Sequence, residues 1–115
     1  MIIAVDFDGT LCDESEFPKI GKPRQDIINW VKLQKTLEHK IIMWTCREGQ
    51  ILLEAVQWCM EQGIKFDAIN DNIPEAKYGY LGQHKIIADL YLDDKSGNVQ
   101  DVVKRYSNAG DFVRG

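Results

Sequence analysis

The chain has 115 residues, 18 of them acidic and 14 basic, with a formal net charge of −4. That length fits one domain over residues 1–115, large enough to bury a core without disulfide or metal staples. The acidic balance argues against nucleic acid as a partner, and no apolar run reaches the roughly 20 residues needed to span a membrane. The first residues lack the basic start of a signal peptide, so we expect a cytoplasmic protein without a membrane partner.

Short apolar runs alternate with amphipathic segments along the chain. Strands are predicted at residues 2–7, 40–45, 66–69 and 88–92, with a short edge strand at 112–113. Helices are predicted at residues 25–39, 50–62 and 98–106. Pro23 opens the first helix, and Gly63 is a suitable C-terminal cap for the second. This alternation predicts a mainly parallel sheet with helices on both faces, a Rossmann-like three-layer αβα sandwich.

Polar residues follow three of these strands at the point where each strand ends. Asp6 and Asp8 close the first strand, Thr45 closes the second, and Asp93 and Asp94 follow the fourth. In parallel α/β sheets, ligands bind beyond the carboxyl ends of the strands. We therefore expect these three groups to meet at one edge of the sheet.

The pair Asp6 and Asp8 has a spacing that suits chemistry. Carboxylates at positions i and i+2 of an extended chain point the same way, and two nearby anions repel each other, which raises the pKa of one of them. A cation can hold one as an anion while the other keeps a proton, which suits a nucleophile beside a general acid. Gly9 allows a sharp turn close to a ligand.

The segment DFDGT, after an apolar strand, resembles the first motif of the haloacid dehalogenase-like superfamily. The order along the chain is also similar to that family, with Thr45 after the second strand and Lys85 upstream of the pair Asp93 and Asp94. The resemblance covers residues 2–94. It implies a magnesium-dependent phosphatase, a hydrolase of phosphoric monoesters.

The resemblance also implies catalytic roles. Asp6 would attack phosphorus and form an aspartyl phosphate, while Asp8 would protonate the leaving oxygen and later activate water. Thr45 would donate a hydrogen bond to a phosphoryl oxygen. Lys85 would neutralise the charge on Asp6 and the phosphate, with Lys77 as its rival for that role.

The implied metal ion is Mg²⁺, which prefers oxygen ligands. Its implied ligands are the Asp6 carboxylate, the backbone carbonyl of Asp8, and the acidic pair after the fourth strand. Relatives with Gly-Asp at that pair favour Asp94 as the direct ligand. Asp93 would then act through water or orient Lys85.

The two residues after Thr45 are candidates for substrate binding. Arg47 either grips a phosphate or substrate carboxylate, or lies exposed at the start of the second helix. Cys46 is either a reactive thiol or a small apolar filler, and the filler interpretation is preferred. We expect all three cysteines to be free thiols. Asn70 and Asn72 are further candidates for substrate contacts.

The segments where relatives insert a cap domain are short here. The segment 11–23 holds only a short flap and residues 70–83 form only a loop, so the chain is similar to capless members. An open site needs either a large substrate or a neighbouring subunit to exclude water. We expect a homo-oligomer that supplies a lid, acting on a small phosphorylated metabolite such as a sugar phosphate or nucleotide.

Three other functions compete with this one. A receiver-type phosphoacceptor domain would carry Asp where Asn70 follows the third strand. A non-catalytic binding or assembly module on the same fold would not need Asp6, Asp8 and Thr45 together. A phosphotransferase or mutase would use the same Asp6 chemistry but usually needs a cap.

Overall fold

The computed structural model describes residues 1–71, 73 and 86–93. Its described part contains four strands and two helices, in the order β1 (Ile2–Asp6), α1 (Gln25–Thr36), β2 (Lys40–Trp44), α2 (Gly49–Glu61), β3 (Ala68–Ile69) and β4 (Leu90–Leu92). The predicted helix at 98–106 and the edge strand at 112–113 lie outside the described residues. Neither of the two described helices has the length and apolar character needed to cross a membrane.

The four described strands form one parallel sheet in the order β3-β2-β1-β4. The predicted α/β class and the parallel sheet are therefore confirmed. The chain moves from β1 through β2 to β3 on one side, then crosses back to place β4 on the other side of β1. In sheets of this kind, ligands bind where the strand order reverses, outside the carboxyl ends of the strands. Here that place lies between β1 and β4.

Both described helices end in the same hydrogen-bonded arrangement. After α2, Gly63 has φ 87°, and the N–H groups of Gly63 and Ile64 bond back to the carbonyls of Met60 and Cys59, as the predicted glycine cap requires. After α1, Glu38 takes the equivalent position with φ 67°. The first helix therefore ends at Thr36 instead of the predicted residue 39, because a non-glycine residue adopts the left-handed turn.

The sheet separates two apolar clusters. Ile3 and Val5 of β1 pack on one side with residues of both helices, including Ile28 and Cys59. On the other side, Ala4 lies in a second cluster, whose fully buried residues also include Ile42 of β2. Since both described helices share one face, the described residues show two layers. The full burial of Ala4 and Ile42 shows that the second face is also covered at these two positions.

Candidate functional site

The sheet register brings three of the predicted polar residues to one edge. Asp6 ends β1 opposite Trp44, the last residue of β2, so Thr45 follows directly beyond that pair. Val5 lies opposite Leu92 of β4, so Asp93 follows at the level of Asp6. Asp6 and Asp93 therefore flank the place where the strand order reverses. Four further predicted residues lie outside the described residues, namely Lys77, Lys85, Asp94 and Asn72.

A tight turn follows β1 and fixes the backbone around Asp8. The carbonyl of Phe7 accepts a hydrogen bond from the N–H of Thr10 (3.2 Å), and the N–H of Gly9 donates to the carbonyl of Cys12 (2.8 Å). Gly9 has φ 87°, which glycine adopts without the strain that a side chain would bring. The Arg24 guanidinium then donates to the Gly9 carbonyl at 2.8 Å. The turn is thus held from within and from the start of α1.

Arg47 forms a two-pronged ion pair with Asp8. Its Nε donates to Oδ2 of Asp8 and its Nη2 donates to Oδ1, both at 2.8 Å, while Nη1 donates to the carbonyl of Ile51 at 3.2 Å. Arg47 is only 1% exposed, so the alternative of an exposed residue at the start of α2 is wrong. Hydrogen bonding to Asp8 raises the pKa of the Arg47 guanidinium, and burial opposes that rise. Its donors are thus directed at Asp8 and Ile51 in this arrangement.

Two aromatic rings enclose the Arg47 guanidinium. Its central carbon lies 5.1 Å from the ring centroid of Phe7 and 5.1 Å from that of Phe17. Phe7 is fully buried, whereas Phe17 is 54% exposed and belongs to the flap, defined here as residues 13–22. The N–H of Asp13 donates to the carbonyl of Lys22 at 2.9 Å, which closes the base of the flap. The flap thus places one aromatic ring over the ion pair.

Thr45 is held by two neighbours at the end of β2. Its hydroxyl oxygen accepts a hydrogen bond from the N–H of Arg47 (3.1 Å), and its own N–H donates to Oδ1 of Asn70 (2.8 Å). An accepted bond does not use the hydroxyl's own O–H, which can still donate to a ligand. Asn70, a candidate for substrate contact in the sequence, here positions the Thr45 backbone through its Oδ1.

The three cysteines are free, as expected, but lie in different surroundings. Cys12 and Cys59 are buried and act as small apolar fillers. Cys46 is exposed, so the filler interpretation is wrong for this residue. The reason is its place in the loop between β2 and α2, where the neighbouring Thr45 and Arg47 side chains take the buried positions.

The described donors at this edge are oxygen atoms. Asp6 ends β1 and Asp93 follows the neighbouring strand β4, and their carboxylates are the kind of ligand that Mg²⁺ prefers. Asp8 turns both carboxylate oxygens to Arg47, which leaves its backbone carbonyl as the group that fits a metal. Within residues 1–71, 73 and 86–93, no three His, Cys, Asp or Glu side chains are arranged to hold a metal ion. Carboxylate and carbonyl oxygens are nevertheless the type of donor that suits magnesium.

An exposed aromatic pair borders the same edge. Trp44 and Tyr91 are 39% and 38% exposed, and their rings meet edge to face with centroids 6.3 Å apart. Trp44 is opposite Asp6 and Tyr91 is opposite Ala4, so these side chains share the sheet face that Asp6 occupies. Ring surface is therefore accessible close to the carboxylate edge.

The fold and its polar edge define a parallel α/β protein, consistent with a Rossmann-like fold. The sequence matches no protein-family model and no curated protein. It is similar to a solved structure, that of the conserved protein coded by a locus from Bacteroides thetaiotaomicron, with a TM-score of 0.75 and 34% sequence identity. The match covers 97% of this chain and 96% of that chain. The chain belongs to the same family as this Bacteroides thetaiotaomicron protein.

Proposed function

We propose that the chain is a magnesium-dependent phosphatase, a capless member of the haloacid dehalogenase-like superfamily with a three-layer αβα core. The observation that carries this proposal is the place of Asp6, which ends β1 beside the reversal of strand order. Asp8 follows two residues later in a turn held by hydrogen bonds, and the Thr45 hydroxyl lies at the end of the adjacent strand. This is the set of groups that transfer of a phosphoryl group to a carboxylate requires.

In the first step, a carboxylate oxygen of Asp6 forms a bond to phosphorus while the bond from phosphorus to the leaving oxygen breaks. Asp8, carrying a proton, gives it to that oxygen, and the alcohol departs. Charge spreads over the equatorial phosphoryl oxygens in the transition state, and the Thr45 O–H donates to one of them. The product is an aspartyl phosphate on Asp6.

In the second step, a water molecule attacks the phosphorus of the aspartyl phosphate. Asp8, now a carboxylate, takes a proton from that water as the new oxygen–phosphorus bond forms. The bond from phosphorus to the Asp6 oxygen breaks, which regenerates Asp6 and releases inorganic phosphate. Asp8 returns to its protonated form for the next cycle.

Magnesium would be held by the Asp6 carboxylate, the Asp8 backbone carbonyl and, by the resemblance, Asp94. When bound, it supplies positive charge that lets a phosphate dianion approach several carboxylates. The same resemblance assigns Lys85 to neutralising charge on Asp6 and the phosphate. Asp93 would either bind the magnesium through a water molecule or orient Lys85.

The substrate we propose is a small phosphorylated metabolite, such as a sugar phosphate or nucleotide, in a homo-oligomer whose neighbouring subunit supplies a lid. The exposed rings of Trp44 and Tyr91 beside Asp6 offer an apolar surface for the part of the substrate that leaves. The free thiols, including the exposed Cys46, fit the reducing conditions of a cytoplasm.

A non-catalytic binding module is the second candidate. It is favoured by the ion pair that occupies both oxygens of Asp8, the proposed acid, and by the lack of a three-residue metal group among the described residues. A receiver-type phosphoacceptor is disfavoured because Asn70 stands where its aspartate would be and binds the backbone of Thr45.

Hydrolysis of an aryl phosphate, measured with and without Mg²⁺, tests the proposal. We expect the wild-type protein to require the metal. Asp6→Asn should reduce the rate by about 1000-fold or more, because it removes the nucleophile. Asp26→Asn, an exposed acid in the first turn of α1, is the matched control and should keep the wild-type rate.

Two outcomes would contradict the proposal. Equal rates for wild type and Asp6→Asn would end the assignment of Asp6 as nucleophile. Absence of turnover by the wild-type protein over a panel of phosphate esters with Mg²⁺ would favour the binding module.

A further inference from the structure

We infer that Arg47 is a positioning residue that orients the Asp8 carboxyl group for the second step, the attack of water on phosphorylated Asp6. This inference rests on the proposed phosphatase function. It assigns to Arg47 a role different from the phosphate contact that its place after Thr45 suggests.

Arg47 has little freedom to leave Asp8. Two of its nitrogen atoms donate to Asp8 at 2.8 Å, and a third donates to the Ile51 carbonyl at 3.2 Å. The rings of Phe7 and Phe17 lie against its guanidinium at 5.1 Å each, and the side chain is fully buried. A planar guanidinium that binds both carboxylate oxygens fixes the orientation of the carboxylate as well as its distance.

The same geometry favours one of the two roles proposed for Asp8. Both carboxylate oxygens accept hydrogen bonds from Arg47, and an acid that donates a proton to a leaving group must give up at least one of these acceptor positions. The Arg47–Asp8 ion pair therefore suits an Asp8 that acts as a base. Asp8 retains access to water, because 15% of its side chain is exposed while that of Arg47 is not.

The step that Arg47 would assist is the hydrolysis of the intermediate. The water oxygen bonds to phosphorus, the bond from phosphorus to Asp6 breaks, and the water proton moves to Asp8. Loss of Arg47 would leave Asp8 free to rotate, so this step should slow more than the first. An aspartyl phosphate would then accumulate.

Rapid-quench kinetics with an aryl phosphate that has a good leaving group separates the two steps, because such a substrate needs little acid assistance in the first. For Arg47→Met we expect a burst of released aryl alcohol close to one per active site, with steady-state turnover reduced about 100-fold. Acid-quenched protein should carry phosphate on Asp6. Arg47→Lys, which keeps the charge but not the two-pronged contact, should reduce steady-state turnover about tenfold.

A purely structural role for Arg47 would give a different result. Burst and steady-state rates would then fall together, without trapped phosphate, and that outcome would overturn the inference. If wild-type turnover is lost in Asp6→Asn but Arg47→Met shows no burst, only the inference about Arg47 fails. If Asp6→Asn keeps its turnover, the proposed function itself fails.

Phe17→Leu keeps the test decisive if the Arg47 variants do not fold. Phe17 is 54% exposed and touches the guanidinium with its ring, so its replacement removes stacking without leaving a buried charge unpaired. We expect steady-state turnover to fall about two- to fivefold with an unchanged burst. Equal slowing of both phases would contradict the inference.

Discussion

The reactivity of each thiol in this protein depends on its burial. Burial raises the pKa of Cys59 to about 12, and it also raises the pKa of Cys12. The thiolate is the reactive form, so these two thiols are protected both by their protonation and by the core around them. Cys46, in contrast, is exposed at the edge of the candidate site.

One native thiol should therefore react with a disulfide reagent at neutral pH. We expect about one equivalent per chain to react rapidly in the native protein and all three cysteines to react in denaturant. Cys46→Ser should abolish the rapid reaction. Rapid modification of either remaining thiol in native Cys46→Ser would contradict the burial of Cys12 and Cys59.

At the scale of secondary-structure elements, the Asp67 side chain, which lies just before β3, connects α1 to β2. Both carboxylate oxygens of Asp67 lie 2.7 Å from Nζ of Lys35 on α1, and Oδ2 accepts the N–H of Ile41 on β2 at 2.8 Å. Burial alone would raise the pKa of Asp67, but the bonds from Lys35 and Ile41 outweigh it and hold the pKa below its ordinary value. The folded protein thus favours the carboxylate form.

Asp67→Asn should lower the free energy of unfolding by about 1 kcal/mol at pH 7, because an uncharged amide replaces a carboxylate bonded to a cation. The loss of stability is small for a charged hydrogen bond because Lys35 is 34% exposed and water screens the ion pair. Chemical denaturation of both proteins measures the difference.

The pH dependence of that difference follows from the sign of the pKa shift. Because the pKa of Asp67 is lower in the folded state, its contribution is complete above the ordinary Asp value of about 3.9 and is lost as the pH falls through the folded value. The difference between wild type and Asp67→Asn should therefore shrink on acidification. Glu16→Gln, in the exposed flap, is the control variant. A difference between wild type and Asp67→Asn that stays constant with pH would contradict the role of Asp67.

For the molecule as a whole, the sheet is buried on both faces at the centre of β2. Ile41 and Ile42 are neighbours in β2, point to opposite faces, and are both 0% exposed. Ile41 lies in the cluster with both helices, and Ile42 lies in the cluster with Ala4 and Ile73. A parallel sheet buried on both faces accounts for the continuous apolar character of its strands.

Ile41→Ala and Ile42→Ala should each lower the free energy of unfolding by about 2–5 kcal/mol, because each leaves a cavity in a packed cluster. Leu53→Ala is the matched control on α2, where the side chain is 63% exposed, and should change stability by less than about 0.5 kcal/mol. Denaturant unfolding gives all three values. A loss for Ile42→Ala as small as that of the control would show that the second face is not packed.

Local patterns in the chain were enough to predict the parallel α/β class, the approximate places of the described strands and helices, and the glycine cap at Gly63. These features depend on the spacing of apolar residues and on backbone preferences within a few positions. The meeting of Asp6, Thr45 and Asp93 at one edge also follows, because each ends or follows a strand and parallel strands end together.

Contacts between distant loops were decided by the fold. Asp8 and Arg47 are 39 positions apart, and Thr45 and Asn70 are 25 apart, so no local pattern pairs them. Their partners are chosen when the turn after β1, the loop after β2 and the end of β3 are packed against one edge. There, a buried guanidinium must find a carboxylate to avoid the free-energy penalty of an unpaired charge.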